Sequence, residues 1–118
     1  MKILITIQKD EVAPRFDLTS EILITETKGE KITGEPRIIL LPGTSGEDIC
    51  GLAIKENISL VICGGIEDTH YQYLKWKKIK VVDGVIGPYQ QALNSAVINH
   101  LKPGVILPGA GISGEQSR

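Results

Sequence analysis

The sequence predicts a single domain with a mixed α/β fold, and three observations support this prediction. The predicted elements follow the order β-β-β-α-β-α-β-α, with apolar β-branched runs at the strands and a 3.6-residue apolar period at the helices. A chain of 118 residues suits one domain and can bury roughly two-thirds of its unfolded surface, so folding requires no metal or disulfide. Aromatic residues make up only 4% of the chain, so Ile, Leu and Val must build the core.

The first three predicted strands form an antiparallel meander. Lys2–Ile7 is apolar almost throughout, which is typical of a buried central strand, and Glu21–Thr27 has a similar composition. A tight turn leads into a third strand over about 31–41. Gly34 and Pro36 interrupt this strand, and proline cannot donate a hydrogen bond within a sheet. We therefore expect the third strand to lie at an edge or to carry a bulge.

The second half of the chain predicts three helices that alternate with two further strands. Thr44 and Glu47 fit a capping box at the start of the first helix, which extends to about Asn57. The last helix begins with Pro88, a residue well suited to a first helical turn. The remaining elements are a strand over 58–63, a helix from 68 or 69 to about 77, a strand over 79–82, and the last helix to about 101.

Tight connections among the first strands and right-handed helical crossovers define the expected topology. The five strands are expected in the order 3-2-1-4-5, with strand 2 antiparallel to the others and helices on both faces. This three-layer arrangement is ribonuclease-H-like. The domain is expected to span residues 1–101, and residues 102–118, rich in Gly and Pro, to form an irregular, partly disordered tail.

Composition narrows the expected location and partners. The net charge of −1 and the pI near 6.1 argue against a nucleic-acid partner. No apolar run approaches the length of a membrane span, and the first residues lack the features of a signal peptide. The two cysteines, Cys50 and Cys63, do not form a disulfide framework. We therefore expect a cytoplasmic protein with no membrane association.

Ligands of such sheets collect beyond the carboxyl ends of parallel strands, and two loops meet that description. These loops, Gln8–Asp17 and Gly64–His70, are expected to face each other across a crevice. Arg15 offers a fork of donors for an anion, although it can instead pair with Asp17. Gly64 and the adjacent Gly65 permit close approach of a ligand before a helix N-terminus, or simply form a tight turn.

Metal ligation and catalysis are the remaining chemical possibilities. His70 is the best candidate for an open metal contact, and Cys63 is a second candidate that can equally be a buried core thiol. Without a CxxC or HxxxH pair, a closed zinc site is disfavoured. Cys50 is expected in the core and His100 at a helix end. The first and fourth strands supply no carboxylates, which disfavours a two-metal nuclease.

Several segments resemble the dinitrogenase iron–molybdenum cofactor biosynthesis family, which includes NifX-like proteins and the C-terminal domain of NifB-like proteins. The most specific segment is Val12-Ala13-Pro14-Arg15-Phe16-Asp17. The opening MKILITI, the run Leu60–Ile66, the strand Ile79–Val82 and Gln91-Ala92-Leu93 are also similar. The resemblance covers about residues 1–101.

The resemblance implies a ribonuclease-H-like fold and a non-enzymatic carrier or scaffold for an iron–sulfur or molybdenum-containing cluster. Its contacts would be Arg15, Asp17, Gly64, Gly65 and Ile66, with His70 or Cys63 as metal ligand. The implied partners are the cluster or its donor and acceptor proteins, with the chain a monomer or weak homodimer. Glu67-Asp68 departs from the small residues common in the family, and this supports an alternative, a metal-free interaction or regulatory module that binds a protein or small anion.

Overall fold

The computed structural model describes residues 1–110 and places a mixed β-sheet between two layers of helix. Five strands lie in the order β4-β3-β1-β5-β6, and a short strand β2 pairs with β1 outside this path. The strand bounds are β1 Lys2–Gln8, β2 Glu11–Val12, β3 Glu21–Lys28, β4 Lys31–Leu40, β5 Leu60–Ile62 and β6 Lys80–Val82. The helices are α1 Gly46–Lys55, α2 Asp68–Trp76 and α3 Tyr89–Val97, and a 3₁₀ turn covers Phe16–Leu18.

The pairing of the strands gives the sheet its mixed character. β3 is antiparallel to both β1 and β4, whereas β5 is parallel to β1 and β6 is parallel to β5. This is the spatial order in which the sequence places its five predicted strands. The strand β2 was not predicted, because two residues after a reversal at Lys9, whose φ is +56°, carry no strand pattern.

β4 is an edge strand with an irregularity, as its composition predicts. The register with β3 shifts between Ile24 and Glu26, opposite the segment that contains Gly34 and Pro36. Gly34 has a φ of +77°, a conformation that glycine adopts without steric cost. Most of β4 is exposed, including Ile38 and Leu40.

Alternating side chains of β1 build two separate cores. On one face Ile3, Ile5 and Ile7 pack with α3, and on the other Leu4 packs with α1 and α2. Phe16, the only phenylalanine, is fully buried in the second core. The helices therefore lie on both faces of the sheet, with α1 and α2 together.

The helix ends differ from the predicted ends for local reasons. Ser45 rather than Thr44 caps α1, and its Oγ accepts a hydrogen bond from the Asp48 amide at 3.2 Å. α3 ends at Val97 rather than near Leu101, because Asn99 adopts a left-handed conformation with φ of +61°. None of the helices in residues 1–110 is both long and apolar enough to cross a bilayer.

The first part of the predicted tail is attached to the domain. Residues 102–110 contain no helix, but Ile106 forms a parallel bridge with Ile86, and the Gly104 amide donates to the Asp83 carbonyl. Leu107 is buried against the α3 side of the sheet. The structure thus extends the packed chain beyond the expected boundary at residue 101. The expectation for 111–118 lies outside the described residues.

Candidate functional site

The two loops expected to face each other do so, and backbone hydrogen bonds join them. The Gly65 amide donates to the Pro14 carbonyl, and the Phe16 amide donates to the Gly65 carbonyl, both at 2.8 Å. Arg15 and Gly65 consequently form a parallel β-bridge. The two loops are therefore closed against each other at this point, and no open crevice separates them there.

Gly64 makes this loop contact possible because it has no Cβ. A Cβ at Gly64 would lie 2.6 Å from the carbonyl oxygen of Pro14 and would also collide with the Ala13 carbonyl. At Gly65 the same addition would meet only the Pro14 oxygen at 3.4 Å, an ordinary contact. The glycine pair thus brings protein backbone close to protein backbone. The half-buried Ile66 packs against the core beneath α1 and α2.

Arg15 and Asp17 form a two-point ion pair. Nε of Arg15 donates to Oδ1 of Asp17 at 3.1 Å, and Nη2 donates to Oδ2 at 2.9 Å. The hydrogen bonds from Arg15 lower the pKa of Asp17, and the hydrogen bonds to Asp17 raise the pKa of Arg15. The pairing alternative is therefore realised. The Arg15 side chain is still 57% exposed, so its guanidinium remains available to a ligand.

His70 lies in the first turn of α2 and contacts three different elements. Its ring centroid is 5.7 Å from that of Phe16, and its Nε2 is 3.6 Å from the Glu67 carboxylate. The ring also packs on the backbone of Gly46 at the start of α1, where a Cβ would meet Cδ2 of His70 at 2.7 Å. The imidazole is therefore largely covered, with 18% of its surface exposed.

Cys63 is enclosed at the end of β5. It has no exposed surface, and burial raises the pKa of its thiol to about 12. Cys50 is also buried, on the inner side of α1, with its thiol pKa raised to about 11. Metal ligation needs an accessible thiolate, so the geometry favours the core interpretation of both cysteines. His100 is exposed beyond the end of α3.

The loop contact assembles four polar side chains from both loops. Asp17 lies within electrostatic range of His70, and Arg15 within range of Glu67. We call Arg15, Asp17, Glu67 and His70 the edge cluster. In residues 1–110 no three His, Cys, Asp or Glu side chains are close enough to hold a metal ion. The edge cluster therefore offers hydrogen bonds and at most isolated ligands.

A cleft that sequence analysis did not identify lies on the other side of the first loop. It encloses about 370 Å³ and is lined by Gln8, Pro14, Arg15, Thr19, Ser20 and Glu21, together with three apolar residues. Thr19 donates a 2.6 Å hydrogen bond to the Arg15 carbonyl, which fixes the loop along the cleft. No sequence signal marked this cleft, because the loop turns through a 3₁₀ segment that brings residues on both sides of Arg15 together.

The edge of the sheet that carries the edge cluster is strongly acidic. Among the described residues, the cationic side chains in the loops and first helical turns at this edge are Lys9 and Arg15. The carboxylates at the same edge are Asp10, Glu11, Asp17, Glu21, Glu47, Asp48, Glu67, Asp68 and Asp83. A chain of net charge −1 thus concentrates negative charge where the ligand is expected.

Fold and site together define a small three-layer α/β domain whose candidate site lies beyond the carboxyl ends of its parallel strands. The model of the family described as dinitrogenase iron-molybdenum cofactor matches residues 1–98. The chain therefore belongs to this family. No curated protein matches it significantly.

Solved structures of low sequence identity share the fold. The protein PH0822 superposes with a TM-score of 0.79 at 20% identity, covering 87% of this chain and 94% of that one. A candidate dinitrogenase of Methanocaldococcus jannaschii gives 0.71 at 20% identity, covering 92% and 97%. A candidate NifB protein from Thermotoga gives 0.68 at 15% identity, covering 91% and 97%.

Proposed function

We propose that this protein is a non-enzymatic carrier or scaffold for an iron–sulfur or molybdenum-containing cluster. Membership of the dinitrogenase iron-molybdenum cofactor family, over residues 1–98, is the observation that carries the proposal. We further propose a ribonuclease-H-like classification, because the strands follow the 3-2-1-4-5 order with the second strand antiparallel. The cytoplasm is the proposed location, which suits two free thiols.

The edge cluster is the proposed point of attachment. A metal–sulfur cluster brings its own sulfides, so it needs few protein ligands when hydrogen-bond donors neutralise its charge. Arg15 supplies donors on a loop that is fixed by its bonds to Gly65. His70 supplies one imidazole nitrogen once the ring moves away from both Glu67 and the Gly46 backbone. The buried thiol of Cys63 takes no part in this arrangement.

The acidic edge determines how such a cluster would be held. Nine carboxylates lie at the same edge of the sheet, and their combined field repels an anion. Attachment must therefore rest on direct contact with Arg15 and His70 rather than on long-range attraction. Because salt screens repulsion between exposed charges, loading of an anionic cluster should improve as ionic strength rises.

The proposal is tested by loading the full chain with iron and sulfide under anaerobic conditions. We expect the wild type to retain both elements in stoichiometric amounts and to show sulfide-to-iron charge-transfer absorbance. His70→Ala and Arg15→Gln should each lower retention after gel filtration. His100→Ala and Cys63→Ser are the matched controls and should load like the wild type.

Two results would contradict the proposal. The first is a wild type that retains no iron and sulfide, and the second is equal loading of His70→Ala and His100→Ala. The second result would show that iron binds the surface without using the edge cluster.

A metal-free interaction module is the second candidate function. Glu67 precedes the first residue of α2, and Asp68 begins the helix, so two carboxylates already occupy the positive end of its dipole. The acidic edge suits a basic protein surface better than a small anion. The test is whether metal-free protein captures a basic partner from native extract. Capture by the wild type that is lost in the double variant Glu67→Gln, Asp68→Asn supports this candidate over cluster carriage.

A further inference from the structure

A groove runs between α1 and α2 on the surface that faces away from the sheet. Its upper part, near the N-terminal ends of both helices, encloses about 380 Å³ and is lined by residues three or four positions apart on each helix. The lining residues are Glu47, Cys50 and Gly51 of α1, with Thr69, His70 and Tyr73 of α2. Both helices cross back from the carboxyl edge of the sheet, so they run in the same direction.

The lower end of the same groove carries exposed apolar side chains. Trp76 continues the α2 stripe of Thr69 and Tyr73 and is 71% exposed, although it is the only tryptophan of the chain. Ile54 continues the α1 stripe and is 37% exposed. Lys77 places its Nζ 4.6 Å from the centre of the Trp76 ring. Large exposed tryptophans of this kind are enriched at binding hot spots.

Gly51 provides open space in the middle of α1. Glycine inside a helix costs about 1 kcal/mol relative to alanine. A Cβ at Gly51 would meet nothing within 4 Å, so packing inside this molecule does not require glycine there. Close approach of a side chain from outside the molecule would explain it.

Charge along the groove reverses from one end to the other. Glu47 lines the upper end of the groove, whereas the ammonium group of Lys77 lies against Trp76 at the lower end. A two-fold axis perpendicular to the helices would therefore place each acidic end against a basic end. The same operation would bring Trp76 to the level of the upper groove.

We propose that this face binds a second copy of the chain through such a two-fold axis. The partner's Trp76 enters the upper groove over Gly51, and Trp76 enters the partner's groove in the same way. The groove, the projecting indole and the reversed charges are thus self-complementary, as a closed dimer requires. A second copy of the chain therefore presents both the side chain and the charges that this groove requires.

The size of the face sets the expected affinity. The helices have 10 and 9 residues, so each is about 15 Å long. Two adjacent helices are about 20 Å across, so the face covers about 300 Å² on each molecule, which is less than the roughly 1,200 Å² or more in total that specific interfaces bury. We therefore expect a reversible dimer that dissociates on dilution and is weakened by salt.

The experiment combines sedimentation equilibrium with emission of the single tryptophan across a dilution series. We expect a dimer whose emission shifts to longer wavelength as it dissociates. Trp76→Ala should raise the dissociation constant by roughly thirty-fold or more, as is typical of a hot spot. Gly51→Leu should fill the groove and also prevent dimerisation. Leu40→Ala, which removes another exposed apolar side chain from β4, should leave the dimer intact.

A mixing experiment distinguishes this contact from general stickiness. The Gly51→Leu and Trp76→Ala proteins are mixed. In this mixture only the Gly51→Leu chain contains tryptophan, and only the Trp76→Ala chain keeps an open groove. Adding Trp76→Ala protein should shift the emission of Gly51→Leu protein to shorter wavelength, whereas more Gly51→Leu protein should not. A wild type that stays monomeric at every concentration overturns the proposal, as does loss of the dimer in Leu40→Ala.

This inference does not depend on cluster binding. His70 lines the groove, so dimerisation would shield its ring, and loading is therefore measured on the Trp76→Ala monomer as well as on the wild type. Failure of the dimer leaves the loading result unaffected, and failure of loading leaves the sedimentation result unaffected.

Discussion

Replacing Gly64 by alanine adds one methyl group where two backbone segments touch. The new Cβ would lie 2.6 Å from the Pro14 oxygen and 2.8 Å from its carbonyl carbon. To restore an ordinary contact of 3.4 Å, the loop that contains Pro14 must move by about 0.8 Å. A backbone carbonyl cannot avoid the contact by changing rotamer as a flexible side chain can, so the displacement must involve the loop itself.

The energetic cost follows from that displacement. Overpacking of this kind costs about 1–3 kcal/mol. A shift of this size also stretches the two 2.8 Å bonds between Gly65 and the first loop beyond good geometry, and each bond contributes about 1 kcal/mol. The lower entropy of the unfolded alanine chain returns about 0.4–1 kcal/mol. We therefore expect a net loss of about 2–4 kcal/mol.

Urea unfolding followed by circular dichroism measures this loss, and thermal unfolding should show a midpoint lower by roughly 8–16 °C. Gly65→Ala is the matched control, because its Cβ would make only a 3.4 Å contact and its φ is not positive. It should stay within about 1 kcal/mol of the wild type. If Gly64→Ala were as stable as Gly65→Ala, the reasoning that Gly64 permits the loop contact would be refuted.

Three further predictions concern a helix cap, the thiols and the ion pair. Ser45→Ala should lower the free energy of unfolding by about 1 kcal/mol, since the Ser45 hydroxyl caps α1; Ser45→Asp should restore it, and an unchanged urea midpoint in the alanine variant would contradict this role. The pKa values of Cys50 and Cys63, raised to about 11 and 12 from 9.0, predict slow alkylation of the native protein at pH 8, measured by mass spectrometry, and fast alkylation in urea. Because folding raises these pKa values, the contribution of the thiols to the free energy of unfolding should be constant below about pH 9 and fall as the pH rises above it, whereas rapid native alkylation would place the thiols at the surface. Arg15→Ala should raise the pKa of Asp17 towards its ordinary value, seen as a higher midpoint in a carbon-13 titration, while an unmoved midpoint would show that the ion pair does not form in solution.

The strands and their order could be predicted because their signals are local and simple. KILITI can only be a buried strand, and Pro36 with Gly34 restricts β4 to an edge or a bulge. The helix ends are harder to predict, since Thr44 and Ser45 both offer a capping hydroxyl. The backbone selects Ser45 by starting the helix at Gly46.

The candidate site was only partly predictable. Sequence placed Arg15 and His70 on facing loops, and the structure brings these loops together. The sequence alone could not show that the loops touch, because the Gly64 contact depends on carbonyl positions some fifty residues away in the chain. Nor could it find the groove beside Gly51, which exists only once two helices far apart in sequence lie in parallel.

The acidic edge has a counterpart at the opposite edge of the sheet. Among the described residues, the carboxylates at that edge are Glu26, Glu30, Glu35 and Glu56. The lysines at that edge are Lys2, Lys28, Lys31, Lys55, Lys75, Lys77, Lys78 and Lys80. The seven residues of β1 separate the two edges by about 23 Å.

This separation gives a nearly neutral molecule a large electric dipole moment. Such a molecule turns in the field of a charged surface before it touches it, so its encounters are oriented. The monomer should be retained on both anion-exchange and cation-exchange resins at neutral pH, each resin holding the opposite edge. In a two-fold pair the two dipoles oppose each other, so the assembled dimer should lose much of its retention on both resins.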